Sequence, residues 1–186
     1  MKICLTSTLA TSLIAISLLC SPGPAVAADQ AQQIAPAQIY GKILQGMQKE
    51  IVGAAEAMPA EKYDFSPGSS AGNFQGVRTF AQQVKHLAAA NYSLFGRFGI
   101  TPDVDVKSID KLTAKDDIVK ALQDSYVFAQ KAIDSITPEN AFTVLDARQN
   151  TRAGVATQAL AHANDHYGQM VVYLRLNGII PPASRR

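Results

Sequence analysis

Cysteine is nearly absent from this 186-residue chain: it occurs twice, at Cys4 and Cys20. Both lie in the opening stretch "MKICLTSTLATSLIAISLLCSPGPAVAADQ", which has one basic residue at Lys2, an apolar run over residues 3–19, a Pro/Gly break and then Ala25-Val26-Ala27. That order is the pattern of a secretory signal peptide with an A-x-A cleavage site. The apolar run is dotted with Ser and Thr and gives way to Pro22 and Pro24 just below membrane-spanning length, and Leu19 stands where lipoprotein processing at Cys20 needs a small side chain. Cleavage after Ala27 is therefore expected. It leaves residues 28–186, 159 in all, as one periplasmic or secreted domain without a stable membrane anchor. Such a chain enters an oxidising compartment with no disulfide, no thiolate nucleophile and no cysteine ligand for a metal.

Charge of one sign is also missing. The 17 Lys and Arg residues nearly balance the 15 Asp and Glu residues, and the formal charge of +2 falls to +1 without Lys2. The two signs are interleaved, and Arg185-Arg186 is too short a basic run to hold nucleic acid, so no nucleic-acid partner is expected. Three motifs are absent as well. Without an E-x-x-H pair there is no di-iron carboxylate site of the usual bundle type. Without C-x-x-C-H there is no covalently attached haem. Ala163 follows His162, so the H-E-x-x-H of zinc peptidases is not present either.

Period-two alternation is absent over any long stretch, whereas four segments carry helical periodicity, which makes the fold class all-α. The first helix is expected over residues 36–58, opened by Pro36, closed by Pro59, and buried along Ile39, Ile43, Met47 and Ile51. "PAEKYDFSPGSSAGNFQGV", residues 59–77, is too long and too rich in Pro, Gly and Ser for a tight turn and reads as a long crossover connection. A second helix over residues 78–99 places Phe80, Val84, Leu87, Leu94, Phe95 and Phe98 on one stripe and stops at Gly99. The third starts near Thr113, whose hydroxyl is placed to cap the amide of Asp116, and turns Ile118, Leu122, Tyr126 and Ile133 inward until Pro138. The fourth covers residues 151–177 and ends at Gly178 and Pro181-Pro182. Together these predict a four-helix bundle.

The fourth helix contains "HANDHYGQM", residues 162–170, with two of the three histidines four residues apart. At ~100° per residue, with His162 at zero, His166 falls at ~40°, Val155 and Tyr173 at ~20° and Met170 at ~80°. Asn164, Gly168 and Arg175 fall at ~200–240°, so a polar outer face exists and the histidines are not on it. Neutral imidazole has one donor and one acceptor, and burying it unpartnered costs about 1–3 kcal/mol. Side chains at i and i+4 converge, and a divalent metal accepts both nitrogen lone pairs at ~2.0–2.1 Å. The alternative is that each ring is a satisfied core or boundary residue, bonded to neighbours such as Gln158 or Tyr173. His86 lies off the main stripe of the second helix, in Ala-rich surroundings that leave room for a small cavity between the second and fourth helices.

The stretches "RTFAQQVKHLAAANY", "MPAEKYDFSP" and "TRAGVATQALAHANDHYGQMVVYLRLNGIIPPASRR" resemble the DinB-like family of metal-binding four-helix bundles. In order, the resemblance rests on a histidine in the second helix, then H-x-x-x-H-Y-G-Q, then Y-L-R-x-x-G-I-x-P-P. It implies one divalent metal, nickel or zinc, held by His86, His162 and His166, with water completing the shell. Three neutral ligands leave the ion's charge unneutralised and a position open, the arrangement that acidifies a bound water or thiol.

Similar family members include thiol-dependent transferases and isomerases, so the resemblance implies a metalloenzyme that activates a thiol or a water against a small molecule, with a homodimer as the expected assembly; export away from the cytosolic thiol pool leaves a hydrolase as the other expectation. Gln169, Tyr173 and Asp165 are the neighbours placed to touch the site or its substrate, across a pocket lined by Ala89, Ala90 and Tyr173. A non-catalytic metal-binding bundle, related to stress or bracing its own fold, is the competing reading, and a bundle without metal is a third.

Overall fold

The computed structural model describes residues 33–185; the expected signal peptide, with both cysteines, lies outside these residues. Four helices make up the described chain: α1 Pro36–Ala57, α2 Phe80–Phe95, α3 Lys115–Asp134 and α4 Arg152–Leu176. Among the described residues no strand forms beyond an isolated bridge between Val144 and Thr151, and no helix is long and apolar enough to cross a membrane. The fold is an all-α four-helix bundle.

Each of α1 and α2 is flanked by the same two helices: α1 packs on α3 and α4, and α2 packs on α3 and α4. The pairs α1/α2 and α3/α4 therefore lie across the diagonals. Contacts along the helices give their directions. Tyr40 meets Thr157 and Gly53 meets Pro182, so α1 and α4 run the same way. Asn91 donates to Ser125, and Tyr92 stacks on Phe128, so α2 and α3 are parallel. Tyr173 donates to the carbonyl of Arg78, and Gln83 bonds to Gln169, so α2 and α4 are antiparallel.

The connection after α1 crosses one end of the bundle to the diagonal helix. Tyr63 fastens it: its hydroxyl donates to the Ala55 carbonyl at 2.7 Å, its own carbonyl accepts from Ala81 N, and its ring packs edge-on against Phe80. The Ala55 carbonyl is one of the last four of α1, which have no partner inside the helix. Because α2 and α3 are parallel, a second crossover must return along the bundle. It contains the 3₁₀ segment Val106–Lys111 packed on α2, and Lys85 holds it by donating to the carbonyls of Asp110 and Leu112.

Most inward positions are those the periodicity predicts. Phe80, Val84, Leu87, Leu94, Phe95 and Phe98 of the second segment and Ile118, Leu122, Tyr126 and Ile133 of the third are all buried. Thr79 and Thr151 cap α2 and α4, the former with Gln82 in a reciprocal capping box. Gly99, with φ +83°, ends the turn after α2.

Two expectations are corrected. Ile39 and Ile43 are 47% and 46% exposed, while Ile51 is buried as expected and Met47 partly so, and α1 completes its inner face with Gly41, Leu44, Ala54 and Ala55. Gly41 fits against Gln130 of α3, where an added Cβ would lie 3.2 Å from the amide nitrogen. The face of α1 turned to α3 is thus the Gly41 face and not that of Ile39. Thr113 does not cap α3: the N-cap is Ala114 with no side-chain bond. Asp116 and Asp117 instead place negative charge in the first turn, against the positive end of the helix dipole.

Replacing Tyr63 by Phe leaves the Ala55 carbonyl buried without its partner. The expected loss is about 1–2 kcal/mol, a fall in melting temperature of ~2–8 °C for a domain of this size. An unchanged melting temperature by calorimetry would show that Tyr63 does not hold the crossover.

Candidate metal centre

Antiparallel packing of α2 on α4 brings His86 opposite His162 and His166. The Nε2 atoms of His86 and His162 lie 3.0 Å apart, and the ring centroids of the three histidines are 4.5–5.0 Å from one another. One ligand nitrogen from each ring falls within 4.8 Å of the others. His166 is buried at 5% exposure, while His86 and His162 are half-buried at the rim.

A hydrogen-bonded chain runs behind His166. Its Nδ1 is 2.6 Å from Gln83 Oε1, Gln83 Nε2 donates to Gln169 Oε1 at 2.7 Å, and Gln169 Nε2 donates to Asp165 Oδ2 at 3.1 Å. The chain has a direction, because an ionised carboxylate can only accept. Gln169 therefore turns its NH₂ to Asp165 and its oxygen to Gln83, and Gln83 turns its own oxygen to His166. His166 Nδ1 must then carry the proton, which leaves Nε2 with a free lone pair. Fixing the tautomer of a ligand histidine from behind is how outer partners orient metal ligands.

Burial, reinforced by the neighbouring His162 and His86, pushes the His166 pKa down to about 4, and burial lowers His86 and His162 as well. The positive charge of Arg78 acts in the same direction on all three rings. All three imidazoles are thus neutral at pH 7, the state in which imidazole binds a metal. Two nitrogens on one tetrahedral ion at ~2.0–2.1 Å are separated by ~3.4 Å. The 3.0 Å between His86 and His162 is close to that spacing, so the residues present fit one divalent ion.

Two open pockets meet at His86. One, of about 380 Å³, is lined by His86, Ala89, Ala90, Leu94, Gln158 and His162 among others. The other, of about 470 Å³, is lined by Arg78, Gln82, Lys85, Lys107 and Asp110 together with His86. Ala89 and Ala90 border the centre as expected. Tyr173 does not: its hydroxyl reaches the Arg78 carbonyl at 2.9 Å, and its ring packs edge-on with Phe65. Gln158 borders His162 without bonding a histidine, so the partner of the buried ring is neither Gln158 nor Tyr173.

Gln83 was not singled out from sequence. It sits three residues before His86, within the stripe formed by Phe80, Val84 and Leu87, and is 2% exposed. A glutamine embedded in an apolar stripe is the same signal that drew attention to the histidines. Of the three neighbours named from sequence, Gln169 and Asp165 belong to the chain behind His166.

A family model described as the DinB superfamily matches residues 43–170, a stretch that contains all three histidines. No curated protein matches the chain.

Between pH ~6.5 and ~4 the unfolded chain binds a proton at His166 that the folded chain excludes, so stability is complete above this window and falls with pH inside it. The metal-free protein should lose up to about 3 kcal/mol on this account, and His166→Gln should flatten that part of the profile. Denaturant titrations at pH 7, 5.5 and 4 test it; identical slopes for the two proteins would refute the buried neutral ring.

Proposed function

The chain belongs to the DinB superfamily, and from that membership and the histidine cluster we propose an exported protein that binds one divalent metal, zinc or nickel, through His86, His162 and His166. Residues 1–27 serve as its cleaved leader. The convergence of three neutral nitrogens within 4.8 Å is the observation that carries the reading.

The chemistry proposed is nucleophilic activation, in a hydrolase or a thiol-dependent transferase acting on a small molecule. When bound, the ion supplies a Lewis-acid position that lowers the pKa of a water or thiol reaching it. The chain contributes the rest. Gln83 holds the His166 proton on Nδ1, so the ring keeps its Nε2 lone pair aimed at the cluster. His86 and His162 border the pocket along Ala89 and Ala90, which gives a small molecule access to the same point. Asp165 is engaged with Gln169, so the ligand set proper contains no carboxylate to neutralise the ion. That charge balance favours a catalytic role over a bracing one.

Protein isolated from the export compartment should contain about one equivalent of divalent metal, and His86→Ala or His166→Ala should lower it well below one. Gln83→Leu, which removes the partner of Nδ1 and the link to Gln169 but keeps all three ligands, should weaken metal affinity by about 10–100-fold. Competition with a chromogenic chelator measures both effects. Metal-free protein from the native compartment, or unchanged affinity in the histidine variants, would overturn the reading.

A further inference from the structure

The pocket on the Arg78 side of His86 has an excess of positive charge. Arg78, Lys85 and Lys107 line it, against one carboxylate, Asp110. Lys85 is already committed, its ammonium bonded to the Asp110 and Leu112 carbonyls and 4.0 Å from the Asp110 carboxylate. Arg78 and Lys107 form no ion pair among the described residues. Arg78 is held at its backbone, where its carbonyl accepts from the buried Tyr173, while its side chain stays exposed. A pocket elsewhere on the bundle, between Tyr92 and Lys131, has the opposite balance, with Asp103 and Asp124 against one lysine.

Resting on the metal reading above, we propose that the substrate of this centre carries an anionic group, which Arg78 and Lys107 bind beside His86 while its reacting atom faces the three histidines. The two pockets share His86, Ala89 and Val106, so one molecule lying along α2 spans both. Its charged end rests at Arg78 and its less polar part along Ala90 and Leu94. Guanidinium is suited to the anchoring role because its planar donors pair with carboxylates, sulfonates and phosphates in a fixed orientation. Arg78 and Lys107 are therefore residues that select substrate and take no part in proton transfer.

The test uses the full mature chain loaded with cobalt(II), whose absorption changes when a thiol ligates it. Three probes of similar length are titrated at low ionic strength: 3-mercaptopropionate, 3-mercaptopropanesulfonate and the neutral 3-mercapto-1-propanol. The anionic thiols should bind roughly tenfold tighter than the alcohol, a preference that shrinks with added salt. The carboxylate and sulfonate arms show which anion shape is favoured. Arg78→Gln should abolish most of the preference and leave both cobalt stoichiometry and the affinity for the alcohol unchanged, and Asp110→Asn should enlarge it. Cobalt uptake with equal affinity for all three probes, or a preference that survives Arg78→Gln combined with Lys107→Gln, overturns the anion site alone. A chain that takes up no cobalt overturns the metal centre, and the anion site with it.

Discussion

The chain of hydrogen bonds from Asp165 through Gln169 and Gln83 to His166 is the interaction on which the centre depends. A buried imidazole is ambiguous on its own, since either nitrogen can hold the proton. The acceptor-only carboxylate at the far end removes that freedom one amide at a time. Three of the members, Asp165, His166 and Gln169, come from α4 and one, Gln83, comes from α2, so the chain also ties together the two helices that supply the histidines. Gln83 is as deeply buried as the apolar residues around it, and its amide is satisfied on both sides. It therefore adds orientation without leaving an unpaired polar group in the core.

The arrangement of helices follows from how the connections run. Diagonal links join α1 to α2 and α3 to α4, which leaves α2 free to lie antiparallel beside α4 with the histidines at matching heights. The parallel pair α2/α3 needs a return along the bundle, and that crossover becomes a wall of the site instead of mere linkage: Val106 of the 3₁₀ segment borders both pockets at His86. Lys85, one residue before His86, fastens the same segment through two backbone carbonyls. Small side chains at Ala89 and Ala90 keep the space between helix and crossover open.

Electrostatically, the site keeps its rings neutral chiefly by burial, with the Asp165 carboxylate favouring protonation at His162 and His166 and Arg78 opposing it at all three rings. An isolated cluster of imidazoles would hold protons at its rim as pH falls, but Arg78 opposes this for all three. The same field that disfavours protons favours an incoming anion, and a cation bound by neutral ligands adds to it. On the proposed reading, binding of metal and binding of an anionic molecule would support one another, since each offsets charge left by the other.

Periodicity alone carried the all-α class, the helix limits to within a few residues, the buried faces of α2 and α3, and the inward aim of His162 and His166, because each is set within one helix by its repeat and its caps. The rotation of α1 was not legible: Ile39 and Ile43 fit an apolar stripe as well as Leu44 does, and the choice between them belongs to packing on α3, where Gly41 lies against Gln130 and Ile133. The start of α3 was not legible either: the helix begins at Lys115, whose ammonium donates to the Glu56 carbonyl of α1, with Ala114 and not Thr113 at the N-cap. At the centre, the sequence by itself determined which residues can ligate a metal, since four-residue spacing on a helix fixes that two rings share a face. The family resemblance added His86 to them; only the tertiary structure decided that Gln83 and not Tyr173 or Gln158 serves the buried ring, and that Arg78 stands beside the site. The contacts of His86 with His162 and of Gln83 with His166 join residues 76 and 83 positions apart, and helix pairing, which no local pattern encodes, is what brings them together.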